Sequence, residues 1–149
     1  MLALVALALA SCASSTGLGD ATAPVGEPCA GSGTATFTAG PYASGPSYGT
    51  FFTGGMQVVL GEDAMRFSDC GGLATSGPRF FAPDQLGDYV IDDADVRFSI
   101  GSASGAGATG TISITGYDPG TGGLCGSVDA ITADGDVVRG TFSAQMRCP

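Results

Sequence analysis

The chain contains no histidine and no tryptophan, and it also lacks lysine and asparagine, so all five of its basic residues are arginine. Each absence removes a chemistry. Without histidine, the commonest general base and the commonest metal ligand are missing. Ser-His-Asp and Cys-His nucleophile systems are excluded, as are lysine Schiff bases. Without asparagine there is no N-linked glycosylation sequon. Charge is sparse and one-sided: 14 acidic residues against 5 basic ones leave a net charge of −9 at pH 7. All of these lie after Ser11. Such a field opposes association with DNA, RNA or an anionic lipid surface through the protein face. No nucleic-acid partner and no cofactor are implied, and no enzymatic activity is expected.

Glycine and cysteine are what the chain has in quantity. Its 26 glycines penalise helices, and no long window repeats apolar residues at helical spacing. Period-two alternation recurs instead, the mark of half-buried strands. It is clear in Thr34–Thr38 and Asp95–Ile100, and short β-type runs cut by glycine lie between them at Thr50–Thr53, Met56–Leu60, Ala64–Ser68, Arg79–Phe81 and Asp88–Ile91. In the Asp95–Ile100 run Val96, Phe98 and Ile100 share one face. The C-terminal part, Thr109–Tyr117, Gly123–Thr132 and Val137–Arg147, is cut by Asp118-Pro119-Gly120 and Asp134-Gly135-Asp136. It predicts a three-stranded antiparallel meander. The fold class expected is all-β: an antiparallel sandwich or a small barrel of eight to nine strands.

The register of the last hairpin follows from its loop. A two-residue Asp134-Gly135 loop sets Val128 opposite Thr141. A three-residue loop ending in a bulge sets Val128 opposite Phe142, and the apolar match favours it.

At the N-terminus, Leu2–Ala10 is an apolar run too short to span a bilayer, which needs about 20 residues. It suits the hydrophobic region of a signal peptide, although no arginine precedes it. The run ends in Leu9-Ala10-Ser11-Cys12. This stretch resembles the lipobox of bacterial lipoproteins, in which an aliphatic and two small residues precede a cysteine that becomes the lipidated N-terminus. The resemblance implies a signal peptide over residues 1–11 and lipidation of Cys12 by a diacylglyceryl group and an acyl chain such as palmitate. It implies a membrane partner through that anchor and residence in the bacterial cell envelope. Ala13 after the cysteine resembles the class sorted to the outer membrane. Several acyl chains, at about 0.8 kcal/mol per buried methylene, suffice to hold a protein on a bilayer. Residues 12–28 are small, polar and aperiodic, the composition of a tether. The β-rich domain is expected over residues 29–149. Gly110–Asp118 and Arg139–Ala144 are similar to strand phrases of β-rich bacterial lipoproteins.

There are 5 cysteines. Assigning Cys12 to the lipid leaves Cys29, Cys70, Cys125 and Cys148, an even set that implies two disulfides in an exported protein. In a regular last hairpin Cys125 lies nearly opposite Ala144, placing Cys148 about 13 Å away at strand rise, too far for a bridge. Of the three possible connectivities this disfavours Cys125–Cys148 with its companion Cys29–Cys70; among the rest the choice falls on Cys29–Cys148, clamping the domain ends, with Cys70–Cys125. The spacing contains no C-x-x-C pair, which argues against zinc.

Three further patterns bear on function. Gly105-Ala106-Gly107-Ala108-Thr109-Gly110 fits G-x-G-x-x-G, but a strand follows it where dinucleotide binding needs a helix, so a hairpin loop is expected. Asp92, Asp93 and Asp95 cluster as weak calcium candidates, against the simpler role of Asp in turns. Phe51-Phe52 and Phe80-Phe81 each place one ring on either face of a strand. The outer rings are expected either to be covered or to form an exposed patch with Tyr42, Tyr48 or Tyr89. The functional expectation is a non-enzymatic envelope lipoprotein whose β domain binds or scaffolds. The alternative is a barrel holding a small apolar ligand.

Overall fold

The computed structural model describes Cys29, residues 31–61, the backbone of 65–66 and 73–74, residues 76–101 and residues 106–146. The lipobox with Cys12, the tether, Cys70 and Cys148 lie outside the described residues. Every regular element among the described residues is a strand: β1 Thr34–Ala39, β2 Gly45–Phe52, β3 Gly55–Leu60, β4 Met65–Arg66, β5 Leu73–Ala74, β6 Pro78–Ala82, β7 Gly87–Val90, β8 Arg97–Ile100, β9 Thr109–Asp118, β10 Gly123–Ile131 and β11 Val137–Met146.

Nine of them form one sheet in the order β7-β9-β10-β11-β1-β2-β3-β6-β8. The remaining two, β4 and β5, pair with each other and lie against β2 and β3. The large sheet curls into a half-barrel, which decides the sandwich-or-barrel question in favour of one continuous sheet. The physical cause is in the chain order. β7 and β8 occupy opposite edges, yet they are joined only by Ile91–Val96, and the amides of Asp92 and Asp93 both donate to the Val96 carbonyl at 3.1 Å. One tight turn therefore draws the two edges together. Twist of the strands supplies the curvature that closure needs. The C-terminal meander β9-β10-β11 is antiparallel throughout, as the breakers foretold. β1 enters between β11 and β2 for part of its length. Beyond it Gln145 and Met146 pair in parallel with Tyr48 and Gly49.

Alternation puts Met56, Val58, Leu60, Phe80, Phe98, Ile112, Leu124, Val128, Val138 and Phe142 in the core. Phe80 and Phe142 pack ring to ring at 5.4 Å. Complete burial of these side chains is worth roughly 1.5–3 kcal/mol each. Ser47 is buried among them, and its hydroxyl donates to the Val59 carbonyl at 3.1 Å, which satisfies a polar group that a core position would otherwise strand.

Three expectations are corrected. First, Val128 lies opposite Gly140, not Phe142 or Thr141, and Gly126 faces Phe142. The turn is one residue earlier than expected: Gly135, at φ 89°, donates to Thr132, which in turn pairs with Asp136. The resulting slip from the favoured register is two residues, so every side chain keeps its face and Val128 and Phe142 both remain buried. Second, the bridge is Cys29–Cys125, with Cα atoms 5.6 Å apart, which overturns both Cys29–Cys148 and Cys70–Cys125. Cys125 points outward from β10 toward the segment that leads into β1. That segment crosses Gly123 so closely that a side chain at 123 would meet the Gly31 backbone. Third, the glycine-rich stretch does not close a hairpin: β8 pairs with β6, while β9 pairs with β7 and β10. The nine strands of the large sheet match the expected count, and β4 and β5 form a small sheet of their own.

Candidate functional site

The outward face of β2, β3, β6 and β8 carries the site. β2 ends in Phe51-Phe52. Phe51 turns inward and meets the ring of Tyr117 edge-on at 5.4 Å. Phe52 turns outward and stays 49% exposed. The hairpin between β2 and β3 is Thr53-Gly54, with Gly54 at φ 79°, a backbone region glycine enters without cost. On β6 the same division recurs: Phe80 is fully buried, and Phe81 is half-buried on the outer face.

Phe52 and Phe81 belong to strands on either side of β3. Phe52 pairs with Gly55, and Gln57 pairs with Phe81. Gly55 has no side chain to keep the rings apart, and the ring of Phe52 lies over it: a Cβ at 55 would come within 2.8 Å of Phe52 Cε2. The two rings thus meet across β3 with centroids 6.4 Å apart and planes tilted by 57°, a favourable aromatic geometry.

Two guanidinium groups complete the surface. Arg97 is directly opposite Phe81 on β8, and its Cζ lies 5.1 Å from the ring centroid. Arg79, two residues before Phe81 on the same face, reaches the ring at 5.8 Å. Its Nε donates to the buried Ser99 hydroxyl at 3.0 Å. Both distances fall within cation–π range. Neither arginine forms an ion pair with a described carboxylate; the one salt bridge among the described residues joins Arg139 and Asp129. In a chain so rich in acid, two cations held on one ring without a described counter-ion are a distinct feature.

Beside the rings is an open cleft of about 150 Å³, bounded by Phe52, Gly54, Phe81, Pro83, Asp95 and Arg97. Asp95 is delivered there by the turn that links the sheet edges. In that turn Asp92 Oδ1 accepts the amides of Ala94, Asp95 and Val96, each at 3.0 Å. These bonds, the Val96 amide foremost, hold the Asp92 carboxyl below its ordinary value. Asp93 sits at φ 61° and accepts the Gly107 amide at 2.6 Å. The carboxylates singled out for calcium are therefore occupied by backbone amides at Asp92 and Asp93, while Asp95 faces the cleft. Among the described residues no three His, Cys, Asp or Glu gather as a metal site.

A second open cleft, of about 190 Å³, lies at the other end of β3 and β6, between Tyr42, Leu60, Gly61 and Pro78. Burial, then the nearby charges of Asp136 and Asp134, raise the Tyr42 phenol above its ordinary value. Tyr42 and Tyr89 are not brought to the aromatic patch. Tyr42 packs on Phe37, and the Tyr89 hydroxyl donates to the Gln85 carbonyl at 2.9 Å. Tyr48 shares the outward face of β2 with Phe52. Val59, on that same outward face, is completely buried where β4 and β5 lie against β2 and β3.

Sequence reasoning placed one phenylalanine of each pair outside but missed Arg79 and Arg97. The available signal was the Arg-x-Phe spacing of β6, which puts cation and ring on one face. No local signal foretells that β8 lies beside it. Compared with family models, with curated proteins and with solved structures, the chain matches none.

Proposed function

We propose that this chain is a lipid-anchored protein of the bacterial cell envelope whose β domain is a non-enzymatic binding module, engaging a protein partner through the cleft at Phe52, Phe81 and Arg97. The carrying observation is the pair of outward rings meeting over Gly55 with Arg79 and Arg97 on Phe81. Aromatic and arginine side chains dominate the energetics of protein interfaces. The cleft's size points the same way. Sites for whole small molecules run to roughly 300–1,000 Å³, whereas about 150 Å³ receives a single anchoring side chain of a larger partner. The interior is packed with Phe80, Phe98, Phe142 and Leu124, which favours binding on the surface over a ligand held inside the half-barrel. The Leu9–Cys12 motif and the fifth cysteine support the anchor.

Two measurements test the reading. Titration with acetyl-phenylalanine amide, followed by amide NMR shifts, is expected to perturb Gly54, Gly55 and Arg97; perturbation confined to Tyr42 and Gly61, or none, overturns the site. Intact mass of protein from its native host, unreduced, is expected to show cleavage before Cys12, acyl chains on it, and loss of four thiol hydrogens among Cys29, Cys70, Cys125 and Cys148. An unmodified Cys12 overturns the anchor.

A further inference from the structure

We infer that the partner group recognised at this cleft is an apolar side chain with a carboxylate beside it, the carboxylate taken by Arg97, which lines the cleft, with Arg79 adjoining on the same Phe81 ring. The inference rests on the binding-module reading and adds the chemistry of the occupant. It starts from charge. The chain as a whole is acidic, and the described salt bridge elsewhere on the sheet, Arg139 with Asp129, satisfies its arginine with a bidentate carboxylate. Arg79 and Arg97 are treated differently. Each lies over the Phe81 ring, and neither has an ion-pair partner among the described residues. A guanidinium over a ring at cation–π distance still has N–H groups that the ring does not use, and a planar carboxylate takes such groups through two parallel hydrogen bonds. Arg79 commits its Nε to Ser99, which fixes its direction.

The apolar half of the requirement comes from Phe52 and Phe81 on the cleft wall. The carboxylate is favoured over a doubly charged phosphate by Asp95, which lines the same cleft and repels a dianion more strongly than a monoanion. Long-range repulsion from the rest of the chain does not prevent this. At 0.15 M salt the Debye length is about 8 Å, so a carboxylate within the cleft responds chiefly to the charges that line or adjoin it, Arg97 and Arg79 against Asp95.

The test compares acetyl-Phe-Glu-amide with acetyl-Phe-Gln-amide on the full chain, by amide NMR titration at low and high salt. The Glu peptide is expected to bind about fivefold more tightly than the Gln peptide at 50 mM salt, the scale of a charge-assisted hydrogen bond at a partly exposed site. At 500 mM salt the gap narrows. In R97Q the two peptides come within about a factor of two of each other, with shifts outside the patch unchanged. If R97Q does not fold, the salt series on the unaltered chain still decides. Equal binding of the two peptides at the cleft overturns the carboxylate inference and leaves the binding module standing. Binding of neither peptide overturns both. A phosphoserine peptide that binds more tightly than the Glu peptide also overturns the choice of carboxylate.

Discussion

Gly126 on β10 faces Phe142 on β11, and the Phe142 ring fills the space that a side chain at 126 would need: a Cβ there would sit 2.6 Å from Phe142 Cζ. The same Cβ would also run into the Ser113 carbonyl of β9. The ladder to β9 shifts register at this point, between Cys125 and Gly126, so the bare Cα accommodates both a bulge and a core ring. G126A is expected to cost about 2–3 kcal/mol through overpacking and displaced pairing. Urea unfolding checks it; a loss below about 0.5 kcal/mol, the range of an ordinary surface change, contradicts the packing described.

The two phenylalanines of β6 separate stability from binding. F80A removes a fully buried ring packed on Phe142 and is expected to destabilise by about 3–5 kcal/mol. F81A removes an outer ring and is expected to cost about 1 kcal/mol or less, while abolishing the shifts produced by acetyl-phenylalanine amide. Thermal unfolding and the peptide titration, run on both variants, read the two effects apart.

The Cys29–Cys125 bridge spans 96 residues of sequence. It closes a loop containing most of the described strands, and Ser143 Oγ supports it from β11, 3.9 and 3.6 Å from the two sulfurs while accepting the Ser32 amide at 3.0 Å. The C29S/C125S variant is expected to lose about 2–4 kcal/mol, seen as a lower urea midpoint. An unchanged midpoint would mean the bridge is not closed in the native protein.

Acid sensitivity is set by turn carboxylates. Asp92 is held below its ordinary value by the Val96, Ala94 and Asp95 amides, and Asp118 by the Gly120 amide and the Thr121 hydroxyl. A carboxyl with a lowered folded-state value contributes stability that is whole above the unfolded value, about pH 4, and is lost as pH falls through the folded one. Stability is therefore expected to fall below about pH 4. On the alkaline side burial raises Tyr42, Tyr89 and Tyr117, so the unfolded chain ionises first and stability declines above about pH 10. Melting temperatures across pH check both limbs. D92A should melt lower at pH 7 and show a shallower acid limb.

What was legible in the sequence was whatever a strand decides within itself. Alternation assigned Val96 and Phe98 to the core, divided Phe51 from Phe52 and Phe80 from Phe81, and marked the meander from Thr109 onward. The register of β10 on β11 was misplaced by two residues because two turns differing by one position satisfy the same alternation. Asp92 was readable as a turn former, since a short carboxylate beside free amides does that wherever the chain bends.

By itself, then, the sequence determined an all-β domain, the faces of its strands, and a composition without histidine or lysine chemistry. Only the tertiary structure decided that β7 and β8 would take opposite edges, that Cys125 would reach Cys29, and that Arg97 would lie opposite Phe81. Facing is a local property, repeated every two residues. Partnership between strands depends on which closure buries the most apolar surface over the whole sheet, and no stretch of chain carries that sum on its own.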